Sequence, residues 1–206
     1  MSQASARRRA QHSQKRHPAT ALRGSFFRGV PLAHIGTPLS AIGSIRRGGR
    51  YNAKGAFEVQ YLADRPDNSL REIGMLTDDD GTPVAVPSPA FIMCTVDVLL
   101  QRVVDLRVDD SRRKLDVSLD DLVSAWRLIV AQGKVPMTHT LGAAARDAEI
   151  EALLVPSAKY PGSSNLVIIR DRLREGSSFS INKPDGFPAG TETTVRGTYH
   201  PRGAAR

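Results

Sequence analysis

The 206-residue chain is 40% hydrophobic and 5% aromatic and has a net charge of +8, which suits one globular domain long enough to bury a mostly aliphatic core. The charge sits in the termini: residues 1–24 hold six basic and no acidic side chains, whereas residues 25–182 balance 19 bases with 19 acids. A neutral body argues against a broad nucleic-acid surface, and no apolar run approaches the ~20 residues of a membrane span.

In chain order, residues 1–24 are basic and rich in Ser, Gln and Ala. They read as a solvated tail, with a specific nucleic-acid arm as the rarer alternative, and they lack the apolar centre of a secretory signal. Ordered structure is expected from Ser25, and Pro31 and Pro38 argue against one long helix over 28–45. Residues 58–63 alternate as a strand with Val59 and Tyr61 on one face. Pro66-Asp67-Asn68 starts a helix whose buried stripe is Leu70, Ile73 and Leu76, with Glu72 on its margin. Residues 77–90 read as a loop, and Asp78, Asp79 and Asp80 within it lack the ligand spacing of a calcium loop.

Two apolar strands are expected over 91–98 and 102–106. Ser118-Leu119-Asp120-Asp121 opens a capped helix that carries Leu122, Trp126 and Ile129 on one side and stops at Gly133. A helix over 140–150 and strands over 152–155 and 165–170 follow, and the Ser/Gly/Pro-rich stretch from Gly176 reads as an extended or frayed C-terminal tail over 176–206. Because loops link several of the strands, the pattern predicts a compact α+β domain with a mixed or antiparallel sheet and flanking helices. The single cysteine, Cys94, lies in an apolar run without a disulfide partner and points to a reducing cytoplasm.

Several kinds of chemistry are absent by spacing: there is no phosphate loop, no nucleophile elbow and no Cys/His cluster for a metal. His12, His17, His34, His139 and His200 are scattered and read as surface or capping residues. What remains is Gly48-Gly49-Arg50-Tyr51-Asn52, followed by Lys54-Gly55. Glycines let a backbone approach a ligand, Arg50 offers a planar fork to a pyrophosphate, and Tyr51 or Tyr61 can stack on a flat base. Taken alone, the turn reads more readily as a solvated hairpin. Glu72, near the first turns of its helix, would feel the positive end of the helix dipole; its carboxylate suits a ribose hydroxyl, although a surface glutamate is the commoner state. Ser157, after a short apolar strand, has no His/Asp relay and reads as a hydrogen-bonding residue or a turn serine.

In order and spacing, GGRYNAKG at 48–55, YLA at 61–63, Glu72, the Val104-Asp105-Leu106 strand end and LLVPSAKYPGSSNLVII at 153–169 resemble the RES domain family, across about residues 35–172. The resemblance implies an ADP-ribosyltransferase-like α+β domain over 25–175 that takes NAD as a substrate and needs no separate cofactor. Many such proteins are cytoplasmic toxins that destroy NAD by hydrolysis or phosphorolysis and are held inactive by an Xre-type antitoxin. Transfer of ADP-ribose to a protein acceptor is a second possibility within the family. Non-enzymatic binding of nucleic acid or a partner through the basic tail is the alternative from outside it. Carried onto this chain, the resemblance assigns the cofactor phosphates to Arg50, the nicotinamide pocket to Tyr51 and Tyr61, stabilisation of the ribosyl cation to Glu72, and substrate anchoring to Ser157.

Overall fold

The computed structural model describes residues 19–73, 90–182 and 184–201. The strands are β1 (Ala19–Pro31), β2 (Val59–Ala63), β3 (Phe91–Asp105), β4 (Ala152–Pro156), β5 (Ser164–Ile169), β6 (Ser178–Ile181) and β7 (Thr194–Arg196). They form a seven-stranded sheet in the order β1-β2-β5-β4-β3-β6-β7, with an added β1–β3 pairing that closes five of them into a ring. All pairs are antiparallel except β3–β4. Among the described residues, six α-helices accompany the sheet: α1 (Ile42–Arg47), α2 (Pro66–Glu72), α3 (Asp109–Leu115), α4 (Leu119–Val123), α5 (Trp126–Ala131) and α6 (Met137–Asp147). This is the mixed α+β architecture expected from the strand and helix pattern.

The apolar runs of β4 and β5 are buried on both faces because the sheet divides two cores. Ala152, Leu154, Leu166 and Ile168 belong to one core, and Leu153, Val155, Val167 and Ile169 to the other. Period-two alternation delivers successive side chains to opposite sides, so a continuous apolar run marks a strand covered on both. Val59 and Tyr61 of β2 face the second core together, as their alternation predicts.

The boundaries expected from sequence shift at four places. Strand β1 starts at Ala19, ahead of the ordered start expected at 25, because it pairs with β3 from Ala19↔Val104 onward. Residues 1–18 lie outside the described residues. Within the stretch expected as a tail, Ser178–Ile181 and Thr194–Arg196 are built into the sheet: Phe179 is fully buried, and Ile181 and Val195 are also buried, an alternation hidden among Ser, Gly and Thr. The two strands expected at 91–98 and 102–106 are one strand. Its outer edge pairs first with β6 and then with β4, and a register irregularity on β1 falls opposite the junction.

Glu151 carries β3 across that junction. It is 0% exposed; its Oε2 accepts from the backbone N–H of Gln101 at 2.5 Å and Arg102 at 2.7 Å, and its Oε1 from that of Arg174 at 2.7 Å. A buried carboxylate persists when its oxygens are satisfied in this way. Glu151→Ala removes the acceptor of three backbone donors at once and is expected to cost about 3 kcal/mol or more of stability. The urea midpoint measures the loss; an unchanged midpoint would show that water satisfies those groups equally well.

The fourth shift concerns the helix expected over 118–133, which is two helices. Its N-terminal capping box forms as expected, with Ser118 Oγ accepting from the Asp121 N–H. Ser124 then turns extended, with φ −53° and ψ 156°, and its hydroxyl donates to the Asp121 carbonyl at 2.9 Å. Serine competes with the helix for backbone partners, and here that competition ends α4 and restarts the chain as α5.

Candidate active site

The 48–55 turn is a built structure, not a solvated hairpin. Gly48 has φ +72°, a left-handed conformation that favours glycine. A Cβ at Gly49 would lie 2.5 Å from the Tyr61 hydroxyl and 2.8 Å from Asn52 Oδ1. Asn52 is fully buried; its Nδ2 donates to the carbonyls of Ser44 at 2.8 Å and Phe57 at 3.1 Å. The Tyr61 hydroxyl donates to Asn52 Oδ1 at 2.9 Å and accepts from the Tyr51 N–H at 3.0 Å. From the opposite side α6 presses Gly142 so closely on the Tyr51 carbonyl that any Cβ there would clash, and His139 Nε2 reaches the Gly49 carbonyl at 2.9 Å. His139 is therefore a brace for the turn and not the surface or capping residue expected.

Arg50 leaves this turn toward the break between α4 and α5. Its Nη1 donates to the carbonyls of Leu122 at 3.1 Å and Ser124 at 2.6 Å, two groups that a continuous helix would have used internally. Desolvation draws the guanidinium's pKa below its ordinary value, while Tyr51 and Glu72 push it back up. The planar fork is thus held at one end and presents the rest of its donors from a fixed base.

Glu72 is the last residue of α2, not near its first turns, so the expected help from the positive helix end is missing. The expected apolar stripe is missing too: the buried residues of α2 are Asn68 and Ser69, Ile73 is 47% exposed, and Leu76 lies outside the described residues. A clamp takes the place of the dipole. Ser157 Oγ donates to Glu72 Oε1 at 2.8 Å and Asn165 Nδ2 donates to the same oxygen at 2.6 Å. Among the described residues Oε2 accepts no hydrogen bond. Ser157 Oγ also accepts from the N–H groups of Lys159 at 3.2 Å and Tyr160 at 3.1 Å. With its one proton given to Glu72, this hydroxyl holds the carboxylate, whereas the resemblance assigned it to the substrate.

Arg50, Tyr51, Tyr61, Glu72, Trp126 and Asn165 line one cavity of about 380 Å³, within the range of small-molecule sites. Tyr51 is 1% exposed and forms a wall of the pocket. Burial raises the pKa of both phenols well above the ordinary value, so each remains protonated at neutral pH. Among the described residues, Glu72 is the only carboxylate in a lining that also carries Arg28, Arg47, Arg127 and Lys159. That balance suits an anionic ligand with one centre that becomes positive. Among the described residues no group of three or more His, Cys, Asp or Glu could hold a metal ion, and no helix is long and apolar enough to cross a membrane.

The structure brings all five sequence-derived site residues together, four on the cavity wall and Ser157 behind Glu72. It adds Asn165, Trp126, Asn52 and His139. Asn165 had a legible signal, since it shares its strand face with Val167, whose partner across the ladder is Tyr61. Trp126 had none while residues 118–133 read as one helix with its tryptophan turned to the core. Of residues 7–23, which the alternative nucleic-acid or partner-binding reading uses, 7–18 lie outside the described residues and 19–23 fall in β1; Asp78, Asp79 and Asp80 also lie outside the described residues.

Residues 25–187 match the RES domain family. A curated protein of Mycobacterium tuberculosis (strain ATCC 25618 / H37Rv), named "Probable NAD(+) phosphorylase Rv3189", is 31% identical over 153 residues, covering 73% of this chain and 66% of its own length. The chain therefore spans about two thirds of that relative. A chain in a crystal structure of the M. tuberculosis MbcT-MbcA toxin-antitoxin complex superposes with a TM-score of 0.58 at 23% identity, covering 81% of this chain and 88% of that one. That likeness is one of fold.

Proposed function

The chain belongs to the RES domain family, and on that premise we propose that it is an NAD-consuming enzyme that cleaves the bond between nicotinamide and ribose. The observation that carries this reading is Glu72. Its Oε1 is clamped by two donors, its Oε2 is bonded to no described residue, and among the described residues it is the only acid lining a cationic cavity that contains Arg50.

The chemistry asks little of an acid catalyst. As the C–N bond breaks, its electron pair stays on the nicotinamide nitrogen, which leaves uncharged, and positive charge develops on the ribose. A fixed carboxylate that accepts a hydrogen bond from a ribose hydroxyl, and keeps its negative charge, stabilises that developing charge. Arg50 holds the pyrophosphate in register, and Tyr51 and Tyr61 wall the nicotinamide end. An oxygen of water or inorganic phosphate then bonds to the anomeric carbon; when water attacks, it releases a proton. The name of the curated relative favours phosphate as that acceptor. We assign the chain to the toxin side of a toxin-antitoxin pair acting in the cytoplasm, where the free buried thiol of Cys94 is stable.

Purified protein incubated with NAD, with and without phosphate, tests the proposal by product mass. Nicotinamide with ADP-ribose indicates hydrolysis, nicotinamide with ADP-ribose 1-phosphate indicates phosphorolysis, and intact NAD in both mixtures removes the proposal. Modified protein in place of free ADP-ribose would transfer the site to the ADP-ribosyltransferase reading.

Within the same reading, Ser157→Ala and Asn165→Ala each remove one of the two bonds to Glu72. Each is expected to lower turnover roughly ten- to hundredfold, the value of a hydrogen bond to a charged group, with NAD affinity nearly unchanged. Single-turnover rates beside a binding isotherm separate the two effects; a variant that loses affinity while keeping its rate would return Ser157 to direct substrate anchoring.

A further inference from the structure

Trp126 is the chain's only tryptophan, and the break between α4 and α5 turns it to the cavity wall. Its ring is held from two sides. The His139 ring packs at 5.6 Å between centroids with a 52° tilt, and the Arg127 guanidinium lies 4.7 Å over the ring. His139 is itself bonded to the Gly49 carbonyl, so the tryptophan is tied to the turn that carries Arg50. These contacts fix a flat apolar face beside a cationic grip.

The attachments of Arg50 identify what that face meets. Arg50 Nη1 donates to the Ser124 carbonyl, two residues before Trp126, at 2.6 Å, and Glu72, Arg50, Trp126 and Arg127 all line the one cavity. Glu72 and Arg127 both act electrostatically on Arg50, so one guanidinium serves the Glu72 region and the Trp126 region together. A dinucleotide with its pyrophosphate on Arg50 and its reacting ribose at Glu72 extends its other nucleoside toward Trp126. Arg127 is exposed and can lift, so that a base enters between the guanidinium and the indole.

We propose that Trp126, with Arg127 above it, is the stacking platform for the adenine base of the dinucleotide. The inference rests on the NAD reading and names a second recognition point within the same cavity. Stacking on an aromatic face needs no donor or acceptor code, which matches a wall whose remaining contribution at this end is cationic.

Because every tryptophan photon comes from Trp126, emission of the full chain reports on this contact directly. ADP is expected to change that emission saturably, and nicotinamide mononucleotide, which lacks adenine, to leave it nearly unchanged at the same concentration. In steady-state assays, Trp126→Ala is expected to weaken competitive inhibition by ADP roughly tenfold or more while leaving inhibition by nicotinamide within about twofold, and Trp126→Phe to restore most of the ADP affinity. A purely structural tryptophan would weaken both inhibitors together, and that result overturns the proposal. Equal emission changes with ADP and nicotinamide mononucleotide overturn it as well. If NAD is consumed and the ADP tests fail, the stacking platform alone falls; if NAD is neither bound nor consumed, both readings fall.

Discussion

Glu72→Gln is expected to lower NAD turnover by about a thousandfold or more while the protein stays folded and still binds NAD. The substitution preserves shape, and the glutamine oxygen can accept the same bonds from Ser157 and Asn165 that Oε1 accepts at 2.8 and 2.6 Å. Only the negative charge is lost. In the ground state that charge meets a neutral ribose hydroxyl; in the transition state it meets a ribose carrying positive charge. The penalty therefore falls on turnover and not on affinity, and a thousandfold corresponds to about 4 kcal/mol of transition-state stabilisation. Parallel measurement of turnover, NAD affinity and thermal midpoint decides the matter. Turnover within tenfold of the parent protein would remove Glu72 from the chemistry.

Arg50→Lys is expected to act in the opposite way, raising KM for NAD about a hundredfold while kcat falls by less than about tenfold. Lysine keeps the charge but has neither the second arm nor the planar fork. Arg50 uses Nη1 on the carbonyls of Leu122 and Ser124, and in the proposed site its remaining donors meet the pyrophosphate. A single ammonium cannot serve both. Because the pyrophosphate does not change charge during the reaction, its contacts contribute equally to ground and transition states, and their loss appears in KM. A large fall in kcat with KM unchanged would place Arg50 at the reacting ribose instead. Some loss of thermal stability is expected as well, since the two carbonyls at the α4–α5 break lose their partner.

The contrast between these two variants follows from how each residue is held, and that depends on contacts remote in sequence. Glu72 on a helix margin was legible as a candidate, but the way it is held was not. The sequence pattern pointed to the positive end of a helix, while the structure places it at the other end and replaces the dipole with donors 85 and 93 positions away. Ser157 was legible as a hydrogen-bonding residue after a strand. Its partner, however, could emerge only when the loop after β4 met the end of α2.

Arg50 and Tyr51 were visible because glycine flanks them, and glycine has local conformational meaning. Alone, that turn could not be told from a solvated hairpin; the buried Asn52, the Tyr61 hydroxyl and the close approach of Gly142 make it rigid. The helix break at Ser124 was hidden because capping and apolar spacing on both sides favour continuation, and the carbonyls it releases are satisfied by an arginine more than 70 positions upstream. Trp126 was misread for the same reason.

By itself, the sequence determined what short-range physics can settle: the strands whose alternation or apolar continuity survives without partners, the capping box at Ser118, and the identity of the groups available for chemistry. Their order along the chain was enough to indicate the RES domain family. Only the tertiary structure decided which groups meet. It joined two expected strands into one across the buried Glu151, drew residues 19–24, Ser178–Ile181 and Thr194–Arg196 into the sheet, and set Trp126 on the cavity wall. Each of these depends on a hydrogen-bond acceptor or a packing surface supplied from far along the chain, and no local pattern encodes the position of such a partner.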